Sequence, residues 1–236
     1  MTAPNAPTPA GLLIIDKHLG PTSMQICANI RYRLRRAGAP KRIKVGHAGT
    51  LDPLATGVLV VLIGKATKLV PRYMGQPKKY DATIDLSHLS TTDDAEGELT
   101  SVTPPSIPTR ADIESAAANF VGTIQQRPPA YSAINIDGRR AYDLARKGHE
   151  VIIPARPVEI QAIRITAYEW PMLTLSIDCG KGTYIRSLAR DLGAALSVGG
   201  YLTALRRTAV GDCTIDRART LHSLPEMLVQ SDLLPA

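Results

Sequence analysis

Cysteine, aromatic residues and long apolar stretches are all scarce in this chain. Of its 236 residues three are cysteine, one is tryptophan and one is phenylalanine, with eight tyrosines. Cys27, Cys179 and Cys213 are far apart, odd in number and form no C-x-x-C pair. A disulfide framework is therefore not expected, nor is a zinc or redox motif, and a reducing compartment is favoured. The apolar run Val58 to Ile63 is far too short to cross a bilayer. The opening residues 1–10 have neither a basic nor an apolar region of the kind a signal peptide needs. G-x-G-x-x-G, H-E-x-x-H and G-x-S-x-G are missing too, and His18, His47, His88, His149 and His222 show no zinc-ligand spacing. Gly57 to Lys65 faintly resembles a phosphate loop, but six residues separate its glycines and Ala66 stands where a magnesium-binding Ser or Thr belongs. Nucleotide-hydrolysing, metal and dinucleotide enzymes are disfavoured, and a soluble cytoplasmic protein is expected.

What is present is a chain with enough apolar material for a core. Hydrophobic residues make up 44% and charged residues 21%, and a chain of this size buries roughly 70–75% of its unfolded surface. The balance is basic, with 28 Lys and Arg against 21 acids and a net charge of +7. Between Arg31 and Lys44 stand Arg31, Arg33, Arg35, Arg36, Lys41, Arg42 and Lys44, without an acid among them. A solvated helix face usually intersperses acids for i,i+4 pairing, so this block favours contact with phosphates.

The pattern along the chain predicts a disordered tail over residues 1–10 and one domain over 11–236. A buried strand is expected over Gly11–Asp16, then a helix capped by Thr22 with Ile26, Ile30 and Leu34 inward, ended by Gly38 and Pro40. A turn-rich loop over Val45–Pro53 leads to a second buried strand, Val58–Ile63. Tyr80–Leu86 alternates as a half-buried strand. The acidic, proline-bearing stretch Ser87–Pro108 reads as a long surface loop. Thr109 to Asp112 opens a helix through Phe120, Gln126-Arg-Pro-Pro129 breaks the chain, and a strand follows over Tyr131–Asn135 with a turn at Asp137-Gly138. A short helix over Arg139–Lys147, strands over Val158–Ala167 and Leu173–Cys179, a helix from Tyr184 to about Leu196, a strand over Tyr201–Val210 and a short C-terminal helix complete the reading. Strands and helices intermix without a βαβ rhythm, so the fold class is α+β.

With those sites excluded, the segment Gly46-His-Ala-Gly-Thr-Leu-Asp-Pro-Leu-Ala-Thr-Gly57 remains as the candidate. Pro53 restrains Asp52 to an extended backbone, which either aims the carboxylate out of the loop or serves an ordinary Asx turn.

That same segment resembles the signature of bacterial tRNA pseudouridine synthases of the TruB family. Gly11–Lys17 with Gly20-Pro-Thr-Ser23, Lys79-Tyr80, Arg127-Pro-Pro-Ala-Tyr-Ser-Ala133, Gly182-Thr-Tyr-Ile-Arg186 and Leu205-Arg-Arg207 follow in family order. The resemblance implies a long mixed, mostly antiparallel sheet flanked by helices, with a central cleft. It also implies the reaction: the uridine at position 55 of the tRNA T-loop is flipped out, its uracil detached, rotated and rejoined through carbon 5, without metal or other cofactor. By residue, Asp52 matches the catalytic aspartate, Arg186 the arginine pairing with it, and Tyr80 the tyrosine stacking on the base. Tyr184 and Leu205 match pocket walls, and His47 the residue that fills the gap left by the flipped base. Arg33, Arg35, Arg36 and Lys44 lie just before the signature, placed for phosphate contact. A monomer acting on the tRNA T-arm, away from membranes, is implied.

The chain departs from the family pattern in three places. It stops at Ala236, with no room after Gly211 for the PUA-type domain many members carry. Ser87 and Ser90 stand where Gly and Thr are usual, and Cys213 where a larger apolar residue is common. Two other readings stay open: a guide-RNA-dependent synthase, and a non-catalytic tRNA-binding or tRNA-folding protein.

Overall fold

The computed structural model describes residues 8–132, 135–136, 139–140 and 153–236. The chain divides into two compact units, residues 1–79 with 206–236, and residues 80–205. No composition break marks either boundary, and both crossings fall inside strands.

The first unit holds β1 (Gly11–Lys17), α1 (Ser23–Arg36), β2 (Val45–His47), β3 (Ala55–Ile63), α2 (Val70–Gly75) and β13 (Cys213–Thr214). It also holds the second half of β12 (Tyr201–Val210). Its strands run β1–β3–β12, with β2 also on β3. β1 pairs antiparallel with β3 from Gly11↔Ile63 to Lys17↔Gly57, and β2 pairs with it from Val45↔Ile63 to His47↔Val61. Val61 to Ile63 are thus bonded on both edges and fully buried, which is why β3 reads as an unbroken apolar run rather than an alternating one. α1 begins as expected: Thr22 accepts from the Gln25 amide while the Gln25 side chain reaches back, and Ile26, Ile30 and Leu34 are buried. The loop expected over Val45–Pro53 begins instead as the strand β2.

The second unit holds β4 (Lys78–Asp85), which it enters at Tyr80, then β5 (His88–Ser90), β6 (Leu99–Ser101), α3 (Arg110–Ala118) and β7 (Gly122–Gln126). β8 (Asn135–Ile136), β9 (Arg139–Arg140), β10 (Arg156–Glu169), β11 (Met172–Cys179), α4 (Ile185–Ala195) and the first half of β12 complete it. Its large-sheet strands run β12–β4–β11–β10–β7. β10 pairs antiparallel with both β11 and β7. α3 and α4 cover a core that includes Ile84, Ile113, Ile177, Leu188 and Leu192. Two antiparallel strands, β5 and β6, stand inside what the sequence reads as one long loop. β7 has no mark of its own in the sequence, because Gly122–Gln126 is a short polar strand whose partner lies in β10. α3 ends at Ala118, short of Phe120. Arg139–Arg140 is a strand paired with Asn135–Ile136 rather than the start of a helix; the rest of that expected helix, and the Asp137-Gly138 turn, lie outside the described residues. The C-terminal helix takes the form of 3-10 turns at Ile215–Arg217 and Gln230–Asp232.

The two serine departures are absorbed locally. Ser87 donates its hydroxyl to Asp85 at 2.6 Å, and Ser90 donates to the Asp94 carbonyl. Cys213 is buried beside Val210 and Leu12 in the first unit's core.

Candidate active site

In the first unit the signature segment is held from beneath by three buried polar side chains. Lys17, 0% exposed, donates from Nζ to the carbonyls of Pro21 at 2.9 Å, His18 at 3.1 Å and Pro53 at 3.3 Å. Ser23 serves both backbone groups of Leu51, donating to its carbonyl at 3.0 Å and accepting its N–H at 2.8 Å. Arg207, 1% exposed, donates to the carbonyls of Val58 at 2.7 Å, Gly49 at 3.1 Å and Thr50 at 3.5 Å. Gly57, at φ 95°, is required here: a Cβ would meet the Arg207 carbonyl at 2.2 Å.

Asp52 is half-buried at the head of this frame, and its carbonyl accepts from the Ala55 N–H at 3.0 Å across Pro53. Burial lowers the affinity of Lys17 for its proton, and the Asp52 charge works in the opposite direction. The two therefore sense each other electrostatically. His47, in β2, encloses an Nδ1 atom that has no hydrogen-bond partner among the described residues. Burial, then the Arg207 charge, holds its pKa below the ordinary 6.5.

The basic block is less uniform than its sequence. Arg33 donates to the carbonyls of Leu224 at 2.7 Å and Pro225 at 3.2 Å. Arg36 meets Glu226 at 2.7 Å, Arg31 donates to the Val45 carbonyl, and Arg35 to that of Lys41. The acid missing from the block arrives from the C-terminal segment. Arg42 and Lys44 instead join Lys65 and Lys68 around a groove of about 350 Å³ that no acidic residue lines.

In the second unit Arg186, in the first turn of α4, is 7% exposed rather than facing solvent. It donates to Asp94 Oδ2 at 3.1 Å, the Tyr131 carbonyl at 2.9 Å and the Thr92 carbonyl at 3.3 Å. Asp94, read as a surface acid, is 2% exposed. One turn along α4, Arg190 meets Asp93 at 2.7 Å. Burial pushes the Asp93 carboxyl up while the Arg190 and Arg186 charges pull it back. Tyr184 caps α4, its backbone N–H and carbonyl both bonded to the Gln126 amide, and Arg156 lies 5.3 Å over its ring. Tyr80 is buried in the same core as Ile185, and Leu205 packs against that core.

Lys17, Ser23, Arg207, Asp94 and Arg190 are thus the structural partners that the sequence reading did not single out. A signal existed for two of them. In β1 the period of two puts Lys17 in phase with the buried Leu13 and Ile15, and in β12 it puts Arg207 in phase with Tyr201 and Ala209. A cation on the apolar phase of a strand has to find carbonyls or carboxylates. Among the described residues, no group of three or more His, Cys, Asp or Glu is placed to hold a metal ion, and no helix is long and apolar enough to cross a membrane.

Residues 35–185 match the family model described as TruB family pseudouridylate synthase (N terminal domain). This chain belongs to the TruB family. Residues 186–234 match the companion model, the tRNA pseudouridylate synthase B C-terminal domain. A TruB-family relative from Mycobacteroides abscessus, named tRNA pseudouridine synthase B, is 50% identical over 92% of this chain and 72% of its own. One of the same name from Phocaeicola vulgatus is 44% identical over 94% of each. Among solved structures, a Cbf5–Nop10–Gar1 complex is similar at 29% identity with a TM-score of 0.70. The match covers 95% of this chain but 59% of that longer one. An H/ACA RNP bound to a substrate RNA containing 2'-deoxyuridine matches at 26% identity with a TM-score of 0.66, covering 94% of this chain and 59% of that one. The pseudouridine synthase fold expected from the TruB resemblance is therefore the fold observed.

Proposed function

We infer that this protein is a tRNA pseudouridine synthase, an isomerase that breaks the C1′–N1 glycosidic bond of a uridine and rejoins C1′ to C5. N1 gains a proton and C5 loses one, so no redox partner enters the balance. The observation that carries the reading is Asp52 itself: a half-buried carboxylate at a proline-fixed turn, on a loop anchored by Lys17, Ser23 and Arg207. A carboxylate kept ionised and fixed in place suits this chemistry.

The substrate in this reading is the T-loop uridine at position 55. Asp52 is the catalytic residue, Arg186 keeps it ionised and oriented, and Tyr80 stacks on the flipped base. Tyr184 and Leu205 wall the pocket. His47, held neutral by burial, fills the space the base leaves in the loop. The protein acts as a monomer in the cytoplasm. Phosphates of the T-arm lie along Lys44 with Arg42, Lys65 and Lys68; Arg33, Arg35 and Arg36 take a smaller share because their guanidinium groups are engaged within the protein. Relatives named as synthases at up to 50% identity do not favour the non-catalytic reading.

Pseudouridine mapping of an unmodified tRNA transcript tests this directly. Wild type converts the T-loop uridine without added cofactor and in the presence of a chelator, with the RNA prefolded. Asp52→Asn binds the transcript and converts none. Unchanged conversion by Asp52→Asn removes Asp52 from the chemistry. Replacing Arg42, Lys44, Lys65 and Lys68 by Ala lowers the salt slope of tRNA binding by about one for each phosphate no longer neutralised; an unaltered slope removes that groove from the interface.

A further inference from the structure

We propose that Arg190 is a positioning residue for the isomerisation, fixing, through Asp93 and the carbonyl of Arg127, the two segments that hold Arg186. The inference rests on the reading of Arg186 as part of the site.

Every described hydrogen bond of the Arg186 guanidinium ends on one of two segments. Thr92 and Asp94 belong to the first, and Tyr131 to the second. Arg190 lies four residues on, hence on the same face of α4, and it repeats the arrangement. It donates from Nη1 to Asp93 Oδ2 at 2.7 Å and from Nη2 to the Arg127 carbonyl at 2.9 Å. Its Nε donates to the neighbouring Asp191 at 2.9 Å. Ser187, between the two arginines, donates to the same Arg127 carbonyl at 2.8 Å. The helix thus grips each segment at two points one turn apart, and Pro128-Pro129 stiffens the stretch between the two carbonyls.

Asp93 makes the grip specific. Its φ of 62° lies in the left-handed region, which a residue other than glycine occupies only where its surroundings impose it. Its backbone is tied at both ends, its N–H to the Ser90 carbonyl at 3.2 Å and its carbonyl to the Leu202 N–H at 3.0 Å. Its carboxylate is tied by Arg190. Asp93 and Asp94 are adjacent, so the backbone held at Asp93 sets where the Asp94 carboxylate meets Arg186. Without Arg190 the first segment keeps its backbone ties and Ser187 still reaches the Arg127 carbonyl, but Arg186 is then the one guanidinium of the two that joins both segments. A displacement of about 1 Å at a reacting centre costs on the order of 10²-fold in rate.

The test uses the full chain and an unmodified tRNA transcript. Variants are Arg190→Gln, Arg190→Lys, Asp93→Asn, the Arg190→Gln/Asp93→Asn double and Arg186→Lys. For each, kcat and KM for pseudouridine formation, the Kd for tRNA and the thermal midpoint are measured. Arg190→Gln is expected to lower kcat by about 10- to 100-fold, with KM and Kd within about twofold of wild type. Asp93→Asn, which tolerates the left-handed backbone, lowers kcat similarly. The double variant loses no more than the worse single one, as two halves of one contact require. Arg190→Lys, which keeps the charge but not the fork, falls between. A wild-type kcat in Arg190→Gln overturns the proposal, as does a raised KM with unchanged kcat, or additive losses in the double. Should Arg190→Gln not fold, Arg190→Lys and Asp93→Asn carry the same test. A full rate in Arg186→Lys defeats the reading of the site itself. Loss in Arg186→Lys with none in Arg190→Gln or Asp93→Asn defeats the positioning role alone.

Discussion

In the first unit, the loop from Gly46 to Pro53 is held by cations that donate to neutral backbone carbonyls, Lys17 on one side and Arg207 on the other. In the second unit the segment from Thr91 to Asp94 is held by cations paired with carboxylates, Arg186 with Asp94 and Arg190 with Asp93. Carbonyls satisfy the hydrogen bonds of a guanidinium without cancelling its charge, so the first frame leaves positive potential around its one acid, Asp52. Carboxylates cancel most of the charge they bind, so the second frame supplies geometry with little net field. One frame surrounds a carboxylate with cations whose charge is not cancelled, the other keeps an arginine still.

The contrast can be broken at either end, and the largest effect is expected in the first unit. Arg207→Met takes the donor from the buried Val58 carbonyl and from the partly buried Gly49 and Thr50 carbonyls, at a cost of about 4 kcal/mol. The thermal midpoint then falls by roughly 10 °C; a fall below about 2 °C would mean that other donors take over. Asp94→Asn keeps the shape of the second frame and removes half of a buried pair, at about 3 kcal/mol, measured by denaturant unfolding. Wild-type stability there would mean that Arg186 is held without the Asp94 carboxylate.

A smaller effect separates the two frames by pH. The folded pKa of His47 is depressed below its ordinary 6.5, so the unfolded chain takes up the proton first as pH falls. His47 therefore contributes stability above pH 6.5 that is lost progressively below it. His47→Gln should flatten the fall of the thermal midpoint below that pH, and an identical slope in the two proteins would refute the assignment. The smallest effect is expected at Arg36→Ala. Its pair with Glu226 is exposed, at 44% and 80% of the two side chains, so solvent screens it and it contributes little. A larger shift on the same melting curve would show the C-terminal segment to depend on that contact.

Much of the first unit was legible in the sequence because its cues are local. Thr22 with Gln25 caps α1, the spacing of Ile26, Ile30 and Leu34 turns that helix inward, and the apolar run of β3 announces a strand buried on both faces. In the second unit the alternation of Tyr80–Leu86 and Leu173–Cys179 marked β4 and β11. β5, β6 and β7 carried no such mark. They are short and polar, and pairing with a distant partner, not their own residues, makes them strands.

The chemistry divides the same way. Local sequence marked out Asp52, since a proline after an aspartate in a glycine-rich loop constrains the backbone whatever surrounds it, and the twelve residues from Gly46 to Gly57 carried the resemblance to the TruB family. Only the tertiary structure decided which charges are spent and which are left over. Glu226 lies 190 residues from Arg36 and Asp94 lies 92 from Arg186, so no window of sequence shows that the basic block has an acid or that the acidic loop has its arginines. Electrostatic energy depends on distance in space and on burial, and both are set by how the chain folds back on itself.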